Sequence, residues 1–181
     1  MFNLSTQDVV LSIENTPLTN LDGKYFQEYQ NFFGNNFILP DISNSKFVKL
    51  ENQEHLARQV LDPDDMIMRQ LNVFFMNTKI TNALGKKFGF NLKFDSVDVW
   101  QDLPGYYLTP HTDNESIKVA VQIYLSDNDQ GTCLYNEKGE IVYKFPFRNN
   151  FGYSLLNNKN SMHGVPEIKN SGRISLYVRY S

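Results

Sequence analysis

The chain has 181 residues, 17 of them basic and 20 acidic for a net charge of −3, and 41% are hydrophobic, 14% aromatic and 20% charged. Such a length and mixture fit one globular domain with a proper core and exclude a disordered chain, while the near balance of charge disfavours a nucleic-acid partner. One cysteine and three histidines exclude an intrachain disulfide and the multi-cysteine zinc sites, and leave histidine chemistry to a specific pair or trio.

The first segment, MFNLSTQDVV, lacks a basic region followed by an apolar stretch, so no signal peptide is expected. No apolar run approaches the ~20 residues that span a bilayer, and a cytoplasmic protein is the simplest expectation. From Pro17 to Phe33, Leu18, Leu21, Tyr25, Tyr29, Phe32 and Phe33 recur at roughly helical spacing and predict a helix that Gly34 stops. Asn35 to Leu50 is read as irregular. In the polar stretch ENQEHLAR, His55 is expected to lie exposed on a helix without a role. A further helix is signalled by Asp62 as N-cap, Pro63 at the first helical position, and Asp64 and Asp65 at the positive end of the dipole. Its apolar stripe, Ile67, Leu71, Phe74 and Phe75, runs on through Leu84 to Lys86, Lys87 and a stop at Gly89. Core packing is the plain explanation of both stripes.

After Phe90 the period changes to two. In Ser116–Leu125, Ile117, Val119, Val121, Ile123 and Leu125 share one face, and Lys118, Ala120, Gln122 and Tyr124 the other. Shorter strands are predicted at Val97–Trp100, Thr132–Tyr135, Glu140–Lys144, Gly152–Leu156 and Arg173–Tyr180, separated by the turn clusters SDNDQG, NEKG, RNN, NNKNS and KNSG. Many short strands at regular spacing argue for a sandwich or barrel. The expectation is therefore a single domain over 1–181, with a helical layer in 1–90 packed on a β-barrel in 91–181.

Two histidines fall in the β-rich half. In His111-Thr112-Asp113 the first and last side chains point to one side of an extended segment. His163 follows in Ser-Met-His-Gly-Val-Pro. Two imidazoles and a carboxylate make the facial set that suits non-haem Fe(II) and leaves coordination positions open for other reactants. By themselves, His111 and Asp113 could equally be a turn histidine with a capping aspartate, and His163 a satisfied core histidine. On the last strand Arg173, Ser175, Tyr177 and Arg179 share a face. An arginine facing into a barrel is costly unless paired, and an incoming carboxylate would pair it, with Ser175 and Tyr124 as further donors; a surface strand position is the alternative. Cys133 reads as a small strand residue rather than a nucleophile. Trp100, Tyr106, Tyr107, Asn114 and Arg148 are candidates for a substrate mouth, with core or loop roles as open alternatives.

From Val97 to Tyr180 the sequence resembles the Fe(II)/2-oxoglutarate-dependent oxygenases, in particular their prolyl-hydroxylase-like branch. The resemblance rests on Gly105-Tyr-Tyr-Leu-Thr-Pro-His111-Thr-Asp113, Tyr124-Leu125, Gly131-Thr132, Met162-His163-Gly164 and Arg173-Ile-Ser175. It implies a mainly β fold with N-terminal helices, a double-stranded β-helix (a jelly-roll, cupin-like barrel) buttressed by helices. It also implies that His111, Asp113 and His163 bind Fe(II), and that Arg173, assisted by Ser175 and Tyr124, binds the distal carboxylate of 2-oxoglutarate. The activity implied is hydroxylation of an unactivated C–H with O2, releasing succinate and CO2, with ascorbate as a supporting reductant. Asp113 disfavours halogenation, whose practitioners lack that carboxylate. Gln130-Gly131-Thr132 has one glycine where prolyl-hydroxylase relatives usually show two, which favours a small molecule over peptidyl proline. A protein or peptide side-chain hydroxylase, and a non-catalytic cupin-like metal- or ligand-binding protein, are the alternatives.

Overall fold

The computed structural model describes residues 2–39, 41–42, 45–49 and 57–181; the expectation for His55 and its surrounding helix lies outside the described residues. The chain begins with helix α1 (Thr6–Asn15), followed by strands β1 (Thr19–Leu21), β2 (Lys24–Tyr29), β3 (Phe47–Lys49) and β4 (Arg58–Leu61). Helices α2 (Met66–Phe75) and α3 (Thr78–Phe88) follow. The remaining strands are β5 (Phe94–Asp102), β6 (Leu108–His111), β7 (Val119–Tyr124), β8 (Cys133–Tyr135), β9 (Ile141–Lys144), β10 (Gly152–Leu156), β11 (His163–Val165) and β12 (Arg173–Tyr180).

An eight-stranded sheet in the order β1-β2-β10-β7-β12-β5-β4-β3 faces a four-stranded sheet in the order β6-β11-β8-β9. All pairings are antiparallel. This is the helix-buttressed, jelly-roll type of double-stranded β-helix. The two-residue alternation of β7 and β12 decides which way each face looks. Val119, Val121, Ile123, Leu125, Leu176, Val178 and Tyr180 pack in one cluster with Val9 and Ile13 of α1, Leu71 and Phe75 of α2, and Ile80 and Leu84 of α3. The opposite face turns toward the small sheet, where Tyr124, Tyr153 and Leu155 meet Leu134, Phe145 and Phe147. Among the described residues no helix is long and apolar enough to cross a membrane.

Four expectations in the N-terminal half are corrected. Asn35 to Leu50 is not wholly irregular: Phe47–Lys49 pairs with β4 as strand β3. Pro17–Phe33 is not a helix but contains the β1–β2 hairpin, closed by Leu21 opposite Lys24. Asp22 and Gly23 form the turn with φ of 49° and 81°, the left-handed pair that an Asp-Gly hairpin loop requires. Of the apparent helical stripe, Tyr25 and Tyr29 share one face of β2 and pack with the helices, while Phe26, outside the stripe, faces the small sheet. The single helix expected from Asp62 to Gly89 is two helices. Asp65, not Asp62, caps α2 by accepting from the Ile67 amide at 2.8 Å. Asp62 instead holds the preceding turn through the Asp64 amide at 3.0 Å. Asn77 ends the run because its side chain accepts from the Lys79 amide at 3.0 Å and starts α3 as a second N-cap. Gly89, with φ of 79°, closes α3 as expected.

Candidate metal centre

Strands β6 and β11 lie side by side, and His111 and His163 are direct cross-strand partners. Their rings are 4.6 Å apart between centroids. The pairing is tight because the residue after His163 is glycine: a Cβ on Gly164 would stand 2.6 Å from the Leu108 carbonyl oxygen. Asp113 follows β6 two residues beyond His111. Its Oδ1 is 3.8 Å from Nε2 of His111 and 3.7 Å from Nε2 of His163. The side chain of Asn157 ties down this turn by donating to the carbonyls of Asp113 at 3.2 Å, Asn114 at 2.9 Å and Ile117 at 3.0 Å.

The outer nitrogens of both imidazoles are engaged. Nδ1 of His111 lies 2.9 Å from the Thr109 carbonyl oxygen, and Nδ1 of His163 lies 2.9 Å from that of Ser161. A carbonyl only accepts, so each ring carries a proton on Nδ1, and Nε2 is the nitrogen that faces Asp113. Burial keeps the His163 imidazole below its ordinary pKa against the pull of Asp113, which favours the neutral, ligating form. Tyr177, whose hydroxyl is driven upward by burial and then by the charge of Asp113, lines the same cavity as that carboxylate. Donor atoms of His111, Asp113 and His163 all lie within 4.8 Å of one another, the one such group among the described residues. Two nitrogens and one carboxylate on a single face fit a divalent transition metal with open positions.

The triad opens into a cavity of about 240 Å³ whose lining also includes Trp100, Thr132, Tyr153, Tyr177, Arg58 and Arg173. Arg173 is 2% exposed, so its charge is compensated within the fold. Its Nε donates to Oδ2 of Asp102 at 2.8 Å and its Nη1 to the Gln130 carbonyl at 2.8 Å. Nη2 is left without a partner among the described residues. Two positions along, Ser175 Oγ is the one buried side-chain polar atom without a hydrogen bond among the described residues. Tyr124 lies deeper: its hydroxyl donates to Thr132 Oγ1 at 3.2 Å and accepts from the Thr132 amide at 3.3 Å, while its ring stacks on Phe147. Tyr124 therefore meets the cavity through Thr132 and not directly.

Of the residues considered for a substrate mouth, Trp100 lines the cavity and Tyr106 is buried with its ring against Arg58. Tyr107 is exposed. Asn114 accepts from the Ser116 amide at 3.0 Å, and Arg148 reaches Gln30 at the surface at 3.4 Å; neither lines the cavity. Cys133 is buried, and burial pushes its thiol up, away from nucleophilic use. Sequence reasoning missed Arg58 and Asp102. Asp102 is fully buried, and Arg58 grips both its oxygens, through Nε to Oδ1 and through Nη2 to Oδ2 at 3.0 Å. The predicted strand stops at Trp100, so the place of Asp102 at the end of β5 is not marked in the sequence. Its partners lie 44 and 71 residues away, and nothing local announces them.

No protein-family model matches the sequence, and no curated protein matches it either. Solved structures do. A prolyl hydroxylase from Trichoplax adhaerens, in complex with a peptide of the hypoxia inducible factor oxygen degradation domain, aligns at a TM-score of 0.60 with 14% identity, over 97% of this chain and 88% of its own. HygX from Streptomyces hygroscopicus, with nickel, 2-oxoglutarate and hygromycin B bound, aligns at 0.58 with 13% identity, over 86% and 82%. An oxidoreductase of the 2OG-Fe(II) oxygenase family from Burkholderia pseudomallei aligns at 0.54 with 15% identity, over 93% and 75%. At such identities the likeness is one of fold: the chain has the fold of the 2-oxoglutarate- and Fe(II)-dependent oxygenases.

Proposed function

We propose that this chain is a non-haem Fe(II)- and 2-oxoglutarate-dependent dioxygenase that hydroxylates an unactivated C–H of a small molecule, releasing succinate and CO2. One observation carries the reading: three metal donors and a buried arginine with a spare Nη2 face the same cavity. In this reading His111, Asp113 and His163 hold the metal, and Arg173 binds the distal carboxylate of 2-oxoglutarate. The unpartnered hydroxyl of Ser175 supports the same site, because a buried donor is costly to leave unmade and a carboxylate oxygen would satisfy it. Tyr124 supports the clamp indirectly, by fixing Thr132 in the cavity wall.

Iron and 2-oxoglutarate together supply the activation of O2, which no side chain can provide. The protein positions and shields. The Thr109 and Ser161 carbonyls set the two tautomers, and Asn157 holds the Asp113 backbone in place. Leu108, Ala120, Leu155 and Val165 give the cavity apolar walls, which favour substrate over water at the reacting carbon.

The confined cavity supports a small substrate, and HygX is a fold neighbour carrying hygromycin B. A peptide side chain is the second reading, supported by the peptide-bound prolyl hydroxylase of the same fold. Anaerobic Fe(II) with 2-oxoglutarate should develop a weak visible charge-transfer band in this protein and not in His111→Ala. Absence of the band, with metal and 2-oxoglutarate binding unaltered in His111→Ala, would sink the proposal. Succinate release across a panel of amino acids, sugar nucleotides, nucleobases and peptides then separates the two substrate readings. Binding without turnover across that panel would favour a ligand-binding protein instead.

A further inference from the structure

Strand β5 lies between β12 and β4, and its last residue, Asp102, sits directly between Arg173 of β12 and Arg58 of β4 in the cross-strand register. The three side chains form one row across the sheet, with the fully buried carboxylate bonded on both sides. If Arg173 alone faced Asp102, the two would make a neutral pair, and a neutral pair attracts a carboxylate poorly. Arg58 changes that balance. It grips both Asp102 oxygens, and its guanidinium lies 4.6 Å from the Trp100 ring centre and 4.1 Å from that of Tyr106. Stacked on two aromatic faces and forked onto a carboxylate, it is held rigidly against the cavity that it lines.

We propose that Arg58 is a positioning residue of the co-substrate pocket: it neutralises Asp102, so that Arg173 keeps its positive charge for the distal carboxylate of 2-oxoglutarate. The inference rests on the proposed binding of 2-oxoglutarate beside Arg173. The charges around the cavity support it. With a divalent cation on the triad, two arginines against Asp102 and Asp113 leave two positive charges in excess, matching a dianionic 2-oxo acid. Without Arg58 the pocket is one charge short. Asp102 also keeps both guanidiniums anchored, so the excess charge is preorganised before the ligand arrives.

The test compares two ligands that differ only at the far end: 2-oxoglutarate, and 2-oxopentanoate, which lacks the distal carboxylate. Their affinities for the nickel-loaded protein are measured by calorimetry, and the ratio is read. Arg58→Gln should reduce the preference for 2-oxoglutarate by about tenfold or more, from the loss of one nearby charge at low effective dielectric. The double variant Arg58→Gln/Asp102→Asn, which removes both members of the extra pair, should return the ratio to within about threefold of the parent. Nickel affinity should hold in both. A ratio unchanged in Arg58→Gln, with both ligands weakened equally, overturns the inference and makes Arg58 structural. No recovery in the double variant overturns it also. Should Arg58→Gln fail to fold, the double variant decides alone: a retained ratio supports charge balance and a fall of about tenfold rejects it. A parent protein that does not prefer 2-oxoglutarate would instead overturn the proposed function.

Discussion

Side chains within two residues of one another on β12 have different energetic roles. Arg173 satisfies two buried acceptors, the Asp102 carboxylate and the Gln130 carbonyl, while its Nη2 has no partner among the described residues. Arg173→Leu should therefore weaken 2-oxoglutarate by roughly ten- to a hundredfold, as expected for a lost charge-assisted hydrogen bond, with metal affinity changed far less. Equal loss of both would mark Arg173 as structural. Among the described residues Ser175 Oγ has no partner to lose. Ser175→Ala should leave stability within about 0.5 kcal/mol of the parent in denaturant unfolding and still weaken 2-oxoglutarate severalfold. A stability loss without an affinity loss would place that hydroxyl outside the pocket.

At the scale of elements, close backbone approach explains residue choices that hydrophobicity does not. The Gln130-Gly131-Thr132 segment passes so near β9 that a Cβ on Gly131 would lie 1.8 Å from the Phe145 carbonyl oxygen. Gly131→Ala must push β8 and β9 apart and should cost about 3 kcal/mol, within the range for overpacked sites, read as a lowered denaturant midpoint. Because Gln130 also supplies the carbonyl that holds Arg173, 2-oxoglutarate affinity should fall with it. Asn77→Ala removes the cap that separates α2 from α3 and should cost about 1 kcal/mol. The turn chemistry was legible throughout this half: Asp22-Gly23 marks a hairpin and Asn77 a helix start. Both were outweighed by apolar spacing: Tyr25 and Tyr29, four apart, share a face in a strand as they would in a helix, and the stripe of α2 runs on in phase into α3. By contrast β10 and β12 have the predicted bounds and β7 lies inside its longer predicted span, since alternation in β7 and β12 separates a helix-packed face from a cavity face.

At the scale of the whole molecule, the last strand is central in space. Strand β12 is hydrogen-bonded to β7 on one side and β5 on the other, and it carries Arg173, Leu176, Val178 and Tyr180 into the cavity and the core. Deleting Arg173 to Ser181 should abolish cooperative unfolding and metal binding together, as seen by circular dichroism and calorimetry. A truncated chain that still melted cooperatively would show that the large sheet closes without β12. The same arrangement explains why so much of the site is remote in sequence: His111 meets His163 across β6 and β11, and Arg58 meets Arg173 across β4, β5 and β12.

The sequence by itself determined the chemistry on offer and the faces that bear it. Three donor side chains, one arginine and the two-residue alternation of β7 and β12 are local properties, written in residue type and spacing. Tertiary structure alone decided which groups meet and with what net charge. Strand order brings Asp102 between two arginines, turns both imidazole Nε2 atoms toward Asp113, and leaves Ser175 Oγ without a partner among the described residues. Antiparallel pairing joins residues across long loops, and the stretch before a strand carries no mark of the partner it will find.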